Sequence, residues 1–325
     1  MKATARANAN IALVKYWGKR NEALRLPSNG SISLTLEGLA ATTTVEFDAA
    51  LRRDYFVLDG VDRVGRESER VFRFLDAVRA KAGVKHFAKV DSRSDVPVGA
   101  GLASSASGFA ALAVAASRAA GADYSARELS IFARKGSGSA CRSIFGGFVE
   151  WRKGERTDGE DSYAEQLLPE GSWDVGMVIA VAKASPKDVG STEGMERSTH
   201  APGFLHWLAT VDGDLAVVRR GIRERDLRSI GLVAEGNATK MHLAAASAGV
   251  VYWSETTVRL VKEVARLREE EGLEGYYTVD AGPNVAVLAR AADLEAIAGK
   301  LRAVEGVERA QVHRAGPGAA VVEAT

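Results

Sequence analysis

Residues 97–107 form a run of small side chains whose composition suits a phosphate-binding loop. Glycines allow a backbone to approach an anion closely, and the first free N–H groups of a following helix point towards it. Ser104, Ser105 and Ser107 add hydroxyls for phosphate oxygens or a magnesium ion. No Gly-Lys-Ser/Thr closes the run, so it is not a Walker loop. Taken alone, the run also allows a simpler interpretation, a turn followed by a serine-capped helix.

A second segment, residues 10–20, combines cations with aromatic side chains. Lys15 and Lys19 are four positions apart, so a helical turn would bring both ammonium groups to one side. Such a clamp would suit a phosphorylated substrate. An exposed basic turn is the alternative. A nucleic-acid patch would need a basic surplus that the rest of the chain does not supply.

A third segment, residues 136–143, alternates glycine with small hydroxyl residues and contains one arginine. The Arg142 guanidinium can hold a carboxylate or a phosphate through two hydrogen bonds. A flexible linker is the alternative, although apolar segments flank the run closely on both sides. No histidine lies near Cys141 in the sequence, so we interpret that thiol as a packed side chain and not as a nucleophile.

Asp280 stands at the end of a predicted strand and is followed by a Gly-Pro turn. This placement suits a general base or a metal contact, although a carboxylate that caps the turn is equally possible from the residues alone. Residues 190–195 place hydroxyls where a loop meets a helix, and helix capping is the simpler interpretation there. The chain has 5 scattered histidines and no HExxH motif, so we expect no dedicated zinc site.

The overall composition is that of an ordinary globular protein. The chain has 325 residues, of which 46% are hydrophobic and 26% charged, with a net charge of +1. This balance gives no electrostatic argument for nucleic acid or membrane as a partner. One cysteine excludes an internal disulfide and fits a reducing cytoplasm. No apolar run reaches the roughly 20 residues that a bilayer span needs, and residues 1–10 lack the apolar core of a signal peptide.

Hydrophobic periodicity predicts the elements that position these groups. The predicted strands are 2–14, 31–36, 41–47, 55–58, 86–92, 173–182, 276–280, 285–289, 307–312 and 319–322. The predicted helices are 68–82, 108–120, 125–134, 210–220, 226–243, 254–271 and 292–304. Strands cluster early and the later half alternates helix with strand, which predicts an α+β protein with two lobes, residues 1–170 and 171–325.

Together these motifs resemble the GHMP kinase superfamily and, within it, the mevalonate diphosphate decarboxylases. The resemblance covers most of the chain, and the motifs occur in the family's order. They are residues 10–12 with 15–20, 97–107 with its Gly-Leu-Ala-Ser-Ser, 136–142 with 146–151, 191–195, 241–242 and 280–284. The resemblance implies a GHMP kinase fold, with an N-terminal lobe like ribosomal protein S5 and a C-terminal ferredoxin-like α/β sandwich lobe.

The same resemblance implies a reaction. ATP and Mg²⁺ would phosphorylate the 3-hydroxyl of mevalonate 5-diphosphate, and loss of that phosphate and of CO2 would give isopentenyl diphosphate. The catalytic residues would be Asp280, Lys15 and Arg142. Asp280 would act on the hydroxyl proton, Lys15 would hold that carboxylate ionised, and Arg142 would bind the substrate carboxylate.

The resemblance also implies two sets of binding residues. The substrate would contact Asn10, Tyr16, Lys19, Ser137, Ser139 and Arg142. ATP would contact Pro97, Gly99, Gly101, Leu102, Ala103, Ser104, Ser105 and Ser107, with Ser105 also reaching the metal. The family usually forms homodimers, which is the expectation here.

The sequence departs from the family at Gly30 and Gly190, where hydroxyl residues are usual, so we expect either change to loosen a substrate or nucleotide contact. Close relatives decarboxylate mevalonate 5-phosphate or only phosphorylate their substrate, and these remain alternatives. Retention of Asp280 with Lys15 favours decarboxylation. A different class, a nucleotide-binding regulator without turnover, also remains.

Overall fold

The computed structural model describes residues 1–95, 104–183 and 189–325. Its strands are β1 (Lys2–Val14), β2 (Lys19–Asn21), β3 (Leu26–Pro27), β4 (Ser31–Asp48), β5 (Tyr55–Leu58), β6 (Val61–Asp62), β7 (Phe87–Ser94), β8 (Phe148–Trp151), β9 (Ala164–Leu168), β10 (Val175–Ala182), β11 (Gly275–Val279), β12 (Val285–Arg290), β13 (Val307–Arg314) and β14 (Ala320–Ala324). Its α-helices are α1 (Arg66–Ala82), α2 (Ser104–Ala119), α3 (Ala126–Gly136), α4 (Ser191–Thr199), α5 (Pro202–Glu224), α6 (Leu227–Ala246), α7 (Glu255–Glu270) and α8 (Leu294–Arg302), with a 3-10 helix at Gly138–Ile144.

The larger sheet has the strand order β14-β1-β4-β7-β5-β6, and β8 and β9 extend it from β4. β1 alternates small inward side chains with polar ones in its first half and is almost wholly buried in its second half. Helix α2 packs across β1 and β4. Its alanine-rich sequence allows this close approach, and most of its side chains are buried.

The smaller sheet has the antiparallel order β11-β12-β10-β13. One of its faces packs on α7 and α8 through an apolar cluster that includes Leu260, Val264 and Ile297. Helices α5 and α6 form an antiparallel pair, and α6 contacts both β1 and β11. The apolar core is therefore continuous between the two sheets, and the ends of β1 and β11 lie close together. The helices of the described ranges include none with the length and apolarity needed to cross a bilayer.

Several sequence predictions need correction. Residues 31–48 form one long strand and not two, because Gly38 (φ +81°) bends the chain while pairing with β1 continues on both sides through a register shift. Helix α2 already includes Ser104, so the serines lie in its first turn and not in the preceding loop. The short strands β8 and β9 were not predicted. The predicted helix that starts at residue 125 is confirmed, and Ser125 with Glu128 forms a capping box at its start.

Candidate active site

A cavity of about 360 Å³ lies where the end of β1, the start of α2, the 3-10 helix and the end of β11 meet. Most of the predicted site residues line it: Asn10, Lys15, Tyr16, Lys19, Ser104, Ser105, Ser137, Ser139, Arg142 and Asp280. These residues come from four separate parts of the sequence. The fold thus brings these ten predicted residues to one place.

Lys15 and Asp280 form an ion pair at one wall of this cavity. Lys15 Nζ lies 2.5 Å from Asp280 Oδ1 and also donates to the carbonyl of Ala12 at 2.9 Å. The lysine side chain is 3% exposed, whereas that of Asp280 is 32% exposed. Burial lowers the pKa of Lys15 from its usual value, and the contact with Asp280 opposes that effect. The accessible carboxylate of Asp280 can therefore contact a ligand while the buried ammonium of Lys15 keeps it in place.

Arg142 is buried at the floor of the cavity and has no carboxylate partner among the described residues. Its Nε donates to Asn10 Oδ1 at 3.0 Å and to Ser33 Oγ at 2.9 Å, and Nη1 donates to Ser31 Oγ. Burial lowers the pKa of this guanidinium. A buried cation held only by neutral oxygens is costly in free energy unless an anion compensates it, so this position is suited to an anionic ligand.

The segment Lys15 to Gly18 is not helical, which corrects the prediction that a helical turn aligns Lys15 with Lys19. Both lysines still line the cavity because β2 turns Lys19 back towards it. Lys19 Nζ pairs with Glu22 at 2.8 Å. The Tyr16 ring packs against Trp151, and its buried hydroxyl has no hydrogen-bond partner within the described ranges. Tyr16 lines the cavity, and its hydroxyl is a buried donor that no described group satisfies.

The start of α2 supplies the serines. Ser104 and Ser105 line the cavity, and Ser105 Oγ lies 3.2 Å from Ser137 Oγ. Ser107 does not line this cavity: it is fully buried, and its hydroxyl donates to Ser104 O, so its contact with the nucleotide stays a prediction. The predicted nucleotide-binding residues Pro97, Gly99, Gly101, Leu102 and Ala103 lie outside the described residues.

Whether this cavity can hold a metal ion depends on these serine hydroxyls. In the described part of the chain, no three His, Cys, Asp or Glu side chains lie close enough to form a metal site of their own. Mg²⁺ prefers oxygen ligands and is commonly held by one or two protein groups together with phosphate oxygens. Ser105 offers such an oxygen at the N-terminus of a helix, where phosphates are also favoured. The residues present therefore fit a magnesium ion that arrives with a phosphate ligand.

A second cavity, of about 130 Å³, adjoins the first and shares Ser104 and Ser105 with it. Its other walls are mainly apolar and come from β4, β5, β7, α1 and α2, with Phe56 and Phe109 among them. The sequence analysis missed this cavity, because its lining residues belong to strand and helix faces without a shared motif. A polar cavity next to an apolar one is suited to a ligand with a charged and an apolar end.

Arg70 is the functional candidate that sequence reasoning missed most clearly. It lines both cavities, and its Nε and Nη2 donate to Gly136 O at 3.1 and 2.9 Å. The guanidinium also lies over the Phe109 ring, 4.7 Å from its centroid. Burial lowers its pKa to about 10. In the sequence it is one of several charges on α1, which gives no local signal for a buried role. Arg25, in the turn between β2 and β3, also lines the first cavity and was missed too.

The two glycine departures lie away from the described contacts. Gly30 lines a separate charged surface cavity, and a Cβ there would meet Leu215 at 3.0 Å, so this residue does not face the first cavity. That corrects the expectation that it loosens a substrate contact. Gly190 precedes α4, and a Cβ there would contact no atom of the described residues. Cys141 is buried, and burial raises the pKa of its thiol to about 12, so it stays protonated.

The chain matches known proteins along nearly all of its length. Residues 7–164 match the family model of the diphosphomevalonate decarboxylase-like N-terminal domain, and residues 177–317 match that of the mevalonate 5-diphosphate decarboxylase C-terminal domain. A diphosphomevalonate decarboxylase from Bos taurus is 39% identical over 310 residues, which cover 87% of this chain and 76% of that relative.

Comparison with solved structures gives the same family. MDDEF in complex with MVAPP, AMPPCP and magnesium is 41% identical, with a TM-score of 0.93 and coverage of 100% of this chain and 99% of that one. Mevalonate diphosphate decarboxylase from Staphylococcus aureus is 38% identical, with a TM-score of 0.93 and coverage of 99% and 98%. This likeness confirms the predicted GHMP kinase fold. By sequence and by fold, the chain belongs to the mevalonate 5-diphosphate decarboxylase family.

Proposed function

We propose that this protein catalyses the ATP-dependent decarboxylation of mevalonate 5-diphosphate to isopentenyl diphosphate, ADP, phosphate and CO2. One observation carries the proposal: the Lys15–Asp280 pair and the buried Arg142 open into the same cavity as the N-terminus of α2. This cavity therefore offers a proton acceptor, a site for a carboxylate and a site for phosphates within reach of one small molecule. Family membership supports the same reaction.

In the first step, the 3-hydroxyl oxygen attacks the γ-phosphorus of ATP, and the bond from that phosphorus to the β-phosphate oxygen breaks. The hydroxyl proton passes to the exposed oxygen of Asp280, whose other oxygen is held by Lys15. Phosphoryl transfer depends mainly on positioning and on charge stabilisation, which the cations and hydroxyls of this cavity supply. Magnesium, held by phosphate oxygens and the Ser105 hydroxyl, would neutralise charge on the transferred group.

In the second step, the new phosphate leaves C3 with the bonding electrons, and the carbon–carbon bond to the carboxylate supplies the electrons of the alkene as CO2 departs. Arg142 binds that carboxylate and keeps it aligned with the breaking bond. A carbocation-like centre requires that nucleophiles are kept away. The nearby thiol of Cys141 meets this condition, because it is buried and protonated.

The two ligands occupy both cavities: the substrate and the ATP phosphates bind in the first, and the nucleoside of ATP binds in the second. The Tyr16 hydroxyl, Lys19 and Asn10 hold the 5-diphosphate end of the substrate, and Ser137 with Ser139 supports its middle. Ser104 and Ser105 contact the ATP phosphates, and the adjoining apolar cavity takes the nucleoside. The complex of MDDEF with MVAPP, AMPPCP and magnesium supports this combination of ligands.

The setting of the enzyme is also proposed. We place it in the cytoplasm, on the use of a single cysteine, and we expect a homodimer that binds neither nucleic acid nor membrane. The lobes divide near residue 170, between β9 of the larger sheet and β10 of the smaller one. β14 is the exception, since it returns to pair with β1 and ties the end of the chain to the first lobe.

The test is a direct assay of products. Purified protein is given MgATP with mevalonate 5-diphosphate carrying a ¹⁴C-labelled carboxyl group, and ADP and ¹⁴CO2 are measured together. We expect equal amounts of both. Mevalonate 5-phosphate is assayed in parallel, and preferential turnover of that substrate would make the protein a phosphomevalonate decarboxylase. ADP without CO2 would indicate a kinase, and ATP binding without either product would indicate a regulator.

A further inference from the structure

The backbone of Lys15 is held on both sides by buried asparagine side chains. Its N–H donates to Asn237 Oδ1 at 2.8 Å, and its carbonyl accepts from Asn29 Nδ2 at 2.7 Å. Asn237 has no exposed surface and Asn29 is 2% exposed. Two side-chain amides therefore take the place that a neighbouring strand would take in a sheet.

Regular structure does not provide these hydrogen bonds. β1 ends at Val14, whose pairing with Ile32 is the last of its register with β4, so Lys15 lies beyond the strand ladder. A buried backbone N–H that lacks a partner keeps the full cost of its lost contact with water. The position of Lys15 thus depends on Asn237, which comes from the far half of the chain on helix α6.

The amide of Asn237 has one allowed orientation. Its Nδ2 donates to Asp214 Oδ2 at 2.8 Å, and an ionised carboxylate only accepts hydrogen bonds. The NH2 group must therefore face Asp214, and the carbonyl oxygen must face the N–H of Lys15. Lys240 Nζ donates to the same Asp214 oxygen at 2.9 Å and holds that carboxylate in place.

We propose that Asn237, oriented by Asp214, is a positioning residue that fixes Lys15 against Asp280. This inference rests on the proposed function, in which Lys15 and Asp280 act on the substrate. It assigns a role in turnover to residues that do not touch the substrate. Neither Asn237 nor Asp214 lines the first cavity, whereas Lys15 and Asp280 both do.

The test exchanges the two groups. Asn237→Asp alone sets two carboxylates against each other. Asp214→Asn alone replaces a group that only accepts by one that can also donate, so the Asn237 amide is no longer held in one orientation. The double variant Asn237→Asp/Asp214→Asn restores a donor at 214 and an acceptor for Lys15 at 237. We expect each single variant to lower kcat by about tenfold to a hundredfold, as small misplacements of catalytic groups do, with little change in either KM. The exchanged pair should recover most of kcat.

Matched controls separate positioning from simple destabilisation. Asp212→Asn makes the same chemical change two residues away on the exposed side of α5, and we expect wild-type kcat. The pH profile of kcat is recorded for every variant, because a displaced Lys15 shifts that profile whereas a loss of stability alone does not. Should Asn237→Asp not fold, Asp214→Asn and the exchanged pair carry the same comparison.

The outcomes are distinct. The inference is overturned if the single variants keep the wild-type kcat and pH profile, or if the exchanged pair is no better than either single variant. Absence of CO2 release by the wild-type protein would instead overturn the proposed function. The ¹⁵N-resolved amide proton shift of Lys15 reports its hydrogen bond without any turnover, and we expect that shift to move in both single variants and to return in the exchanged pair.

Discussion

The ammonium nitrogen of Lys15 lies 2.5 Å from a carboxylate oxygen of Asp280, although 265 positions separate the two residues in the sequence. Lys15 follows β1 in the larger sheet, and Asp280 follows β11 at the edge of the smaller one. Thr278 reinforces the same junction, since its hydroxyl donates to Ala12 O at 3.0 Å. The site therefore exists only where the two sheets dock, and either half of the chain alone would lack it.

The first prediction concerns Asp280→Asn. The amide keeps the shape of the side chain but cannot take the proton of the substrate hydroxyl, so we expect turnover to fall by roughly 10²–10⁴-fold. ATP should bind with nearly unchanged affinity, because α2 and the second cavity are untouched. ADP and CO2 release measure the first quantity and calorimetry the second. Asp123→Asn, at an exposed position, is the control for the same chemical change. Wild-type rates in Asp280→Asn would show that Asp280 does not accept the proton.

The second prediction concerns Arg142→Lys. Lysine keeps the charge but offers one nitrogen, whereas the guanidinium reaches Asn10, Ser33 and Ser31 at the same time. The planar group also holds a carboxylate through two parallel hydrogen bonds, which an ammonium cannot copy. We expect a higher KM for mevalonate 5-diphosphate and a lower kcat, with the KM for ATP unchanged. A variant affected only in its KM for ATP would place Arg142 at the nucleotide instead.

The motifs predicted the chemistry of the site better than its construction. Asp280, Lys15 and Arg142 carried a signal because chemical type and neighbouring glycines or aromatics occur together in the sequence. Asn29 and Asn237 carried none, since a single buried amide has no spacing pattern that sets it apart from a surface amide. Their roles arise from contacts across 14 and 222 positions of the chain.

For the fold as well, features with a local sequence signal were predicted and features that depend on distant contacts were not. The mix of small and β-branched residues over 2–14 located β1 with its observed bounds. The prediction of separate strands at 31–36 and 41–47 divided β4 wrongly, because pairing with β1 carries the strand through the bend at Gly38. Arg70 was missed because burial under Phe109 and bonding to Gly136, 66 positions away, are tertiary effects.

The third prediction uses glycines at two positions with opposite surroundings. A Cβ on Gly138 would lie 2.8 Å from the Tyr16 ring, which Trp151 already contacts. Gly138→Ala must push that ring or move the 3-10 helix, and such overpacking costs about 1–3 kcal/mol. We expect lower stability in urea and a higher KM for mevalonate 5-diphosphate.

Gly213 provides the matched control on α5, because a Cβ there would meet no atom of the chain within the described ranges. Alanine is the better helix former, so Gly213→Ala should raise the free energy of unfolding by about 0.5–1 kcal/mol and leave both KM values unchanged. Equal effects of the two substitutions on the KM for mevalonate 5-diphosphate would show that the Gly138–Tyr16 contact does not shape the binding site.

The last prediction is a pH dependence of stability. His242 is 9% exposed, and its Nε2 lies 3.1 Å from Val279 O, the residue before Asp280. A carbonyl only accepts, so Nε2 carries the proton of a neutral ring. Burial, with a smaller contribution from Lys15, lowers the pKa of His242 to about 4. The unfolded chain, with a pKa near 6.5, therefore binds the proton more readily than the folded protein does.

The sign follows from this difference. Between about pH 6.5 and pH 4 the unfolded state holds more protons, so stability is complete above that range and falls as the pH drops through it. A shift of this size corresponds to roughly 3 kcal/mol at pH 4. In His242→Gln the amide can still donate to Val279 O but does not titrate, so urea unfolding should lose less free energy between pH 7.5 and 4.5 than in the wild type. His313, whose pKa burial also lowers, keeps some pH dependence in both proteins. His86→Gln, at an exposed position, should follow the wild type, and parallel curves for His242→Gln would show that this ring is not the group responsible.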